Sequence, residues 1–368
     1  MKIKCLNYIV LTVIIFLFSG CVNIEEKYLS LKNDYRSIKN NYKIVDIKDD
    51  IHKEDDNNYI MEVNYTNDTD YVNGFAHLVG IANKIKSTQK FKLSRLDSSF
   101  SYLEVTSNGT YVYDASTEYK KSFEKVWYMN GHGVVPSRYY KSYIMSQPNI
   151  MFALINKSII KQNDLIELVD LKKEGKLFLK IKGKTTVEGK EYIYTELSSL
   201  IKTSTHPLSR KKRNTEILGY ALFDIKSFMP YIVRYNVFGK WLDRDNKGML
   251  QKIHIETIKT SKVNNNYNFK TYTGIVDNKD CLNTNKEKFQ LQIDGDMIQG
   301  NIINGNTKIL GHREDNSKKF NLTFIQLNYI PRINYMVFGD MDIKNNSVTG
   351  FFTKSGSRCH TQFNLIQE

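Results

Sequence analysis

MIQGNIINGNTKILG, residues 297–311, recurs without gaps as MVFGDMDIKNNSVTG, residues 336–350. Met297 aligns with Met336, Gly300 with Gly339, Asn306 with Asn345 and Gly311 with Gly350, while apolar Ile302 and Ile309 fall on Met341 and Val348. One hairpin unit is used twice. The recurrent glycines, with Gly274 as a similar case, suit bends or close strand approach in a small closed sheet. Asp294-Gly295 and Asn304-Gly305 have the residue types of hairpin turns. Closure protects strand edges, so a β-barrel or tight sandwich of about eight strands is expected over residues 267–368.

Upstream, Asn264-Asn265-Asn266 marks a boundary, and residues 58–263 form a basic, β-rich segment. Tyr59–Tyr65, Tyr102–Val105 and Thr110–Tyr113 alternate as half-buried strands do, and Ser107-Asn108-Gly109 has the residues of a turn joining the latter two. IMFALINKSII, after Pro148-Asn149, is the best helix candidate, over 149–161. Strands resume at Lys176–Gly183 and Lys190–Leu197, then at Gly219–Lys240 and Leu250–Lys259, with SRKKR at 209–213 read as an exposed loop. The fold class expected is therefore mostly β (α+β). A curved antiparallel sheet with one or two helices precedes the C-terminal barrel.

At the N-terminus, Lys2 and Lys4 precede an apolar run from Leu6 to Phe18, shorter than the ~20 residues of a membrane-spanning helix. The small pair Ser19-Gly20 and then Cys21 resemble the lipobox of bacterial lipoproteins, with Phe18 departing from the usual aliphatic residue. The resemblance implies a signal peptide over 1–20 and acylation, palmitate included, at Cys21. Val22 rather than Asp after the cysteine implies an outer-membrane location where the cell has one. Residues 21–57 then read as a tether with a short helix, on the spacing of Leu29, Tyr35, Ile38 and Tyr42, and an acidic solvated linker from Asp49 to Asp56.

With Cys5 in the signal and Cys21 acylated, Cys281 and Cys359 are the two thiols left in an exported chain, and a disulfide between them is expected. Chain-entropy arithmetic gives it at most ~4.5 kcal/mol. His360 adjoins Cys359, but neighbours on a strand point to opposite faces, so no metal site is expected.

The net charge of +14 is concentrated in residues 58–268, which alone carry +12. Such a surface favours anionic partners, lipid headgroups or acidic glycans among them, and equally fits a solvated Lys-rich face; nucleic acid is not a partner for an exported lipoprotein. Val187-Glu188-Gly189-Lys190-Glu191-Tyr192, followed by Phe223-Asp224 and Pro230, resembles the strand pattern of LolA/LolB-like periplasmic lipid carriers. That resemblance implies a curved sheet around a helix with an apolar cavity for acyl chains. Candidate wall residues are Tyr111, Tyr113, Trp127, Phe152, Phe178, Tyr192 and Tyr194, with a plain packed core as the competing reading.

No G-x-S-x-G, H-E-x-x-H or P-loop occurs, and His132 between two glycines reads as a turn residue, so no catalysis and no cofactor is expected. Two functions compete. One is an envelope lipoprotein binding lipid, or another hydrophobic or anionic ligand, in the middle segment. The alternative is a surface-displayed lipoprotein binding a host protein or nutrient carrier, for which surface lipoproteins with C-terminal eight-stranded barrels are a fold-level analogy. Cys21→Ser should abolish incorporation of labelled palmitate and release the chain from membranes; unchanged labelling would refute acylation there.

Overall fold

The structure, a computed structural model, describes residues 28–30, 32–33, 41–54, 58–72, 84–96, 100–113, 116–129, 133–134, 147–170, 175–205, 212–241, 248–264, 267–277, 286–303, 305–314, 317–327, 332–344, 346–354 and 359–368. Cys21, Cys281, His132 and residues 206–211 of the basic loop lie outside them. The early strands are β1 (Ile51–His52), β2 (Asn58–Val72), β3 (Lys84–Arg95), β4 (Phe100–Val112), β5 (Thr117–Met129) and β6 (Gly133–Val134). After the helix α1 (Gln147–Met151) come β7 (Ile159–Ile160), β8 (Leu165–Asp170), β9 (Gly175–Val187), β10 (Lys190–Thr205), β11 (Lys212–Asp224), β12 (Pro230–Trp241) and β13 (Gly248–Val263). The last eight are β14 (Lys270–Asp277), β15 (Lys286–Asp294), β16 (Met297–Ile302), β17 (Thr307–Arg313), β18 (Lys319–Gln326), β19 (Arg332–Lys344), β20 (Ser347–Lys354) and β21 (Thr361–Gln367).

The chain is mostly β and divides into two compact units. The first comprises Met1–Ser99, Glu104–Glu124 and Gln147–Val263; the second comprises Phe100–Leu103, Lys125–Ser146 and Asn264–Glu368. Eleven strands form one sheet in the order β6-β5-β4-β3-β2-β13-β12-β11-β10-β9-β8, and β1 pairs with β7 in a separate ribbon. The big sheet is two meanders joined where β2 pairs with β13, from Asn58↔Val263 to Val72↔Gly248.

Period-two patterning gives this sheet two apolar faces. Cross-strand partners share a face, so Ile181, Thr195, Ala221, Val233, Ile255 and Tyr65 line one, and Tyr194, Leu222 and Ile232 line the other. The first face is covered by the segment after α1, where Phe152 meets Phe91 edge-on at 5.9 Å. The second is covered by residues 41–47. Tyr42 packs on Tyr194 and Tyr220, at 5.7 and 5.3 Å between ring centroids, and Val45 bridges to Lys184. Gly183 permits that approach, since a Cβ there would stand 2.5 Å from the Val45 carbonyl oxygen.

Three local expectations are corrected. The helix expected over 149–161 is a single turn, Gln147–Met151. It continues as turns bonded three residues back, Ile155 N–H to Phe152 O at 3.1 Å and Lys157 N–H to Leu154 O at 3.0 Å, and then as strand β7. Ile150 through Ile155 are all buried, so no solvent-facing side exists for a surface helix, and the β-branched Ile159-Ile160 pair favours a strand. Ser107-Asn108-Gly109 makes no turn, because β4 runs through it unbroken. Gly109 sits there because its strand presses on β3: an added Cβ would be 2.7 Å from the Lys86 carbonyl oxygen and would overlap Ser87. The acidic linker contains β1, whose Ile51 is buried against β7.

In the second unit, β14 to β21 form a closed antiparallel barrel in chain order. The seam is β14 against β21, Tyr272↔Gln367 and Thr273↔Ile366, extended by Glu368 N–H donating to Thr271 O at 3.0 Å. The repeated sequence forms β16–β17 and β19–β20, and Ile302, Ile309, Met341 and Val348 all join the barrel core. Its four recurrent glycines, Gly300, Gly311, Gly339 and Gly350, and Gly274 face a carbonyl oxygen of the neighbouring strand so closely that any side chain would overlap it. Asp294 pairs with Met297 across Gly295-Asp296, and Gly295, at φ 59, stands first in the turn as type II′ requires. The ends of β4 and β5 also belong to this unit. Trp127 Nε1 donates to Gly311 O at 2.7 Å, Tyr102 lies edge-on to Trp127 at 5.2 Å, and Lys125 pairs with Asp296 at 2.8 Å. Gly339→Ala should cost about 3 kcal/mol in urea unfolding of the barrel signal, from overpacking. Gly189→Ala, in an open turn at φ 79, should cost about 1 kcal/mol.

Candidate functional site

The turn between β11 and β12 reads DIKSFMPY, Asp224 to Tyr231. The Asp224 carboxylate closes it, with Oδ1 accepting from the amides of Lys226 (3.1 Å) and Ser227 (2.8 Å) and from the Ser227 hydroxyl (2.8 Å). Backbone bonds Asp224 N–H to Met229 O and Phe228 N–H to Asp224 O complete it. Phe228 takes φ 59, a left-handed conformation costly for an aromatic residue, and its ring is fully buried. Burial of that ring fixes the turn.

Two irregularities follow at the same end of the sheet. On β12 the register passes from Leu222↔Ile232 to Phe223↔Pro230, which leaves Tyr231 as an extra residue. On β13 it passes from Thr257↔Val63 to Lys259↔Glu62, which leaves Ile258 extra and exposed. Thr257 Oγ1 locks them together by donating to Pro230 O at 2.7 Å. Bulges re-aim side chains, and here Tyr231 stacks on Tyr192 with centroids 4.4 Å apart and planes 15° apart.

The result is an open groove of about 430 Å³ within the first unit. Its lining includes the Tyr192–Tyr231 stack, Tyr59 and Met229, the hydroxyls of Ser227, Thr257 and Thr260, and four lysines, Lys190, Lys226, Lys259 and Lys262. Glu54 and Asp224 are the carboxylates. Lys226 is tied to Glu54 at 3.0 Å, whereas no ion pair engages Lys190 or Lys259 among the described residues. Burial, with Tyr231, Asp224 and Glu188 nearby, pushes the Tyr192 phenol up to about 12, and burial raises Tyr231 as well. Both phenols are neutral donors at physiological pH. Among the described residues, no group of three His, Cys, Asp or Glu side chains converges as a metal site, and no helix is long and apolar enough to cross a membrane.

The seven wall residues singled out in the sequence are scattered. Tyr192 alone lines this groove. Tyr194 is fully buried, stacked on Tyr220 at 5.8 Å, and Phe152 is packed on Phe91. Phe178 is half-buried opposite Ser198, and Tyr111 and Tyr113 lie under the Lys120 ammonium, at 5.3 and 5.0 Å. Trp127, expected in the middle segment, belongs to the second unit, because its indole N–H is held by a barrel carbonyl. The expected Cys281–Cys359 pairing lies outside the described residues with Cys281, and Cys359 packs partly buried against the barrel core.

Tyr231, Lys226 and Lys259 went unnoticed. The signal was available as breaks in alternation: Ile253 and Ile255 are two apart and Ile258 comes three later, while Tyr231-Ile232-Val233 is an unbroken apolar run. Folded Tyr192 stays protonated from 10.0 to about 12 while an unfolded phenol ionises. Stability from this group is therefore whole below pH 10.0 and is lost as pH rises through about 12. Urea titrations across that window should show a shallower fall for Tyr192→Phe than for the parent.

No protein-family model matches the chain, and no curated protein matches it in sequence. Among solved structures, the vaccine antigen Transferrin Binding Protein B of Haemophilus parasuis Hp5, a double mutant, aligns at 9% identity over 86% of this chain and 78% of that one, with a TM-score of 0.18. At that score the alignment carries no argument about fold or function.

Proposed function

We propose that the chain is a membrane-anchored envelope lipoprotein, acylated at Cys21, whose first unit is a non-enzymatic binding module for an anionic ligand. One observation supports it above the others: Tyr194 and Phe152 are spent in packed core, while the recess open to solvent is rimmed by lysines. An acyl chain gains only from apolar contact, and this groove offers a lysine rim instead. The same reading bridges Cys359 to Cys281, beside the strand that closes the barrel, and assigns the barrel a supporting role.

The test compares two charge reversals of equal size in the full chain carrying Cys21→Ser. Lys190→Glu with Lys259→Glu changes the groove; Lys86→Glu with Lys90→Glu changes exposed positions on β3. Retention on an anionic matrix should fall at least tenfold more for the groove pair. Equal losses would reduce the binding to net charge and overturn the reading, as would stoichiometric acyl-chain adducts on protein taken from the envelope.

A further inference from the structure

The groove has a flat aromatic wall, separated point charges and a hydroxyl rim, and these three features together select a ligand. Resting on the reading above, we propose that it takes a carboxylated saccharide, with a pyranose ring on Tyr231 and its carboxylate between Lys190 and Lys259. The axial C–H face of a pyranose is apolar and weakly positive, so it suits the negative face of a phenol ring. Tyr231 can present that face because it is half-exposed where it lines the groove and the Tyr192 stack fixes its plane. Ser227, whose proton is given to Asp224, can accept from a sugar hydroxyl, Thr260 can donate or accept, and the Glu54 carboxylate, already held by Lys226, can accept from one.

Other anionic ligands fit less well. A phosphate is usually cradled by successive backbone amides or a helix N-terminus, and the groove lining comes from strands, the β11–β12 turn and Glu54 just after β1. A simple polyanion would not need the aromatic wall. At about 430 Å³ the recess has the scale of a small-molecule site rather than a protein interface. The rigid turn beneath it, with Asp224 Oδ1 accepting three hydrogen bonds and Phe228 strained, keeps Lys226 and Met229 in place before any ligand arrives.

Titration calorimetry on the full chain carrying Cys21→Ser uses three probes: trigalacturonate, its methyl ester, and citrate. Trigalacturonate should bind at least tenfold more tightly than either of the others, since the ester keeps the rings without charge and citrate keeps charge without a ring. Tyr231→Leu, which preserves bulk, and Lys259→Gln should each weaken trigalacturonate at least fivefold, with unchanged urea midpoints as the control. A parallel arm offers phosphatidylcholine vesicles carrying a sialylated glycolipid or phosphatidylglycerol. Binding to the first but not the second extends the same sugar chemistry to a headgroup. Citrate equal to trigalacturonate, equal binding of ester and acid, or vesicle binding that follows phosphatidylglycerol alone would each overturn the saccharide. No binding of trigalacturonate or sialylated vesicles would do so as well. If the groove charge reversal still weakened anionic retention, the binding-module reading would survive that failure.

Discussion

Strand β2 meets β13 across most of the chain of the first unit, and everything in that unit depends on the meeting. Each meander alone would end in a bare edge of unpaired amides and carbonyls. Pairing from Asn58 to Val72 against Gly248 to Val263 makes them one sheet with shared faces. Closing so long a loop costs little more than closing a short one, since each doubling of length adds only about 0.6 kcal/mol. Its cost is kinetic, because non-local strand pairs form slowly. The barrel solves the same edge problem differently, by bringing β21 back onto β14.

Legibility from sequence followed from how local each feature was. The barrel could be read from the spacing of its repeat, because Gly300, Gly311, Gly339 and Gly350 each answer to a neighbouring strand's carbonyl and the turn at Gly295-Asp296 is a two-residue affair. The helix over 149–161 could not, since apolar residues at every position are compatible with a helix, a strand or a buried knot of turns, and tertiary burial decides among them. Gly109 misled for a related reason: Asn-Gly is a turn in isolation, but a glycine is also the residue that lets two strands touch. The groove was legible only as broken alternation at Tyr231 and Ile258, and one residue of slippage does not reveal that two neighbouring strands slip at the same level.

The groove also shows how strain and order are coupled in this sheet. Asp224 accepts three hydrogen bonds, Phe228 is held left-handed by its own burial, and Thr257 clamps Pro230. The rim of lysines thus sits on a base with little freedom to adjust.

The N-terminal residues give this arrangement a direction in space. Tyr28 donates to Glu216 and packs on Phe238 at 4.4 Å, and Lys32 pairs with the same Glu216 at 3.4 Å. From Cys21 to Tyr28 there are seven residues of chain, a leash of at most about 25 Å. From Phe238 back to Tyr231 the strand runs another seven residues, about 23 Å, in the direction of the groove. Acylated at Cys21 as proposed, the chain would be moored at the Phe238 end of β12, the end away from the groove.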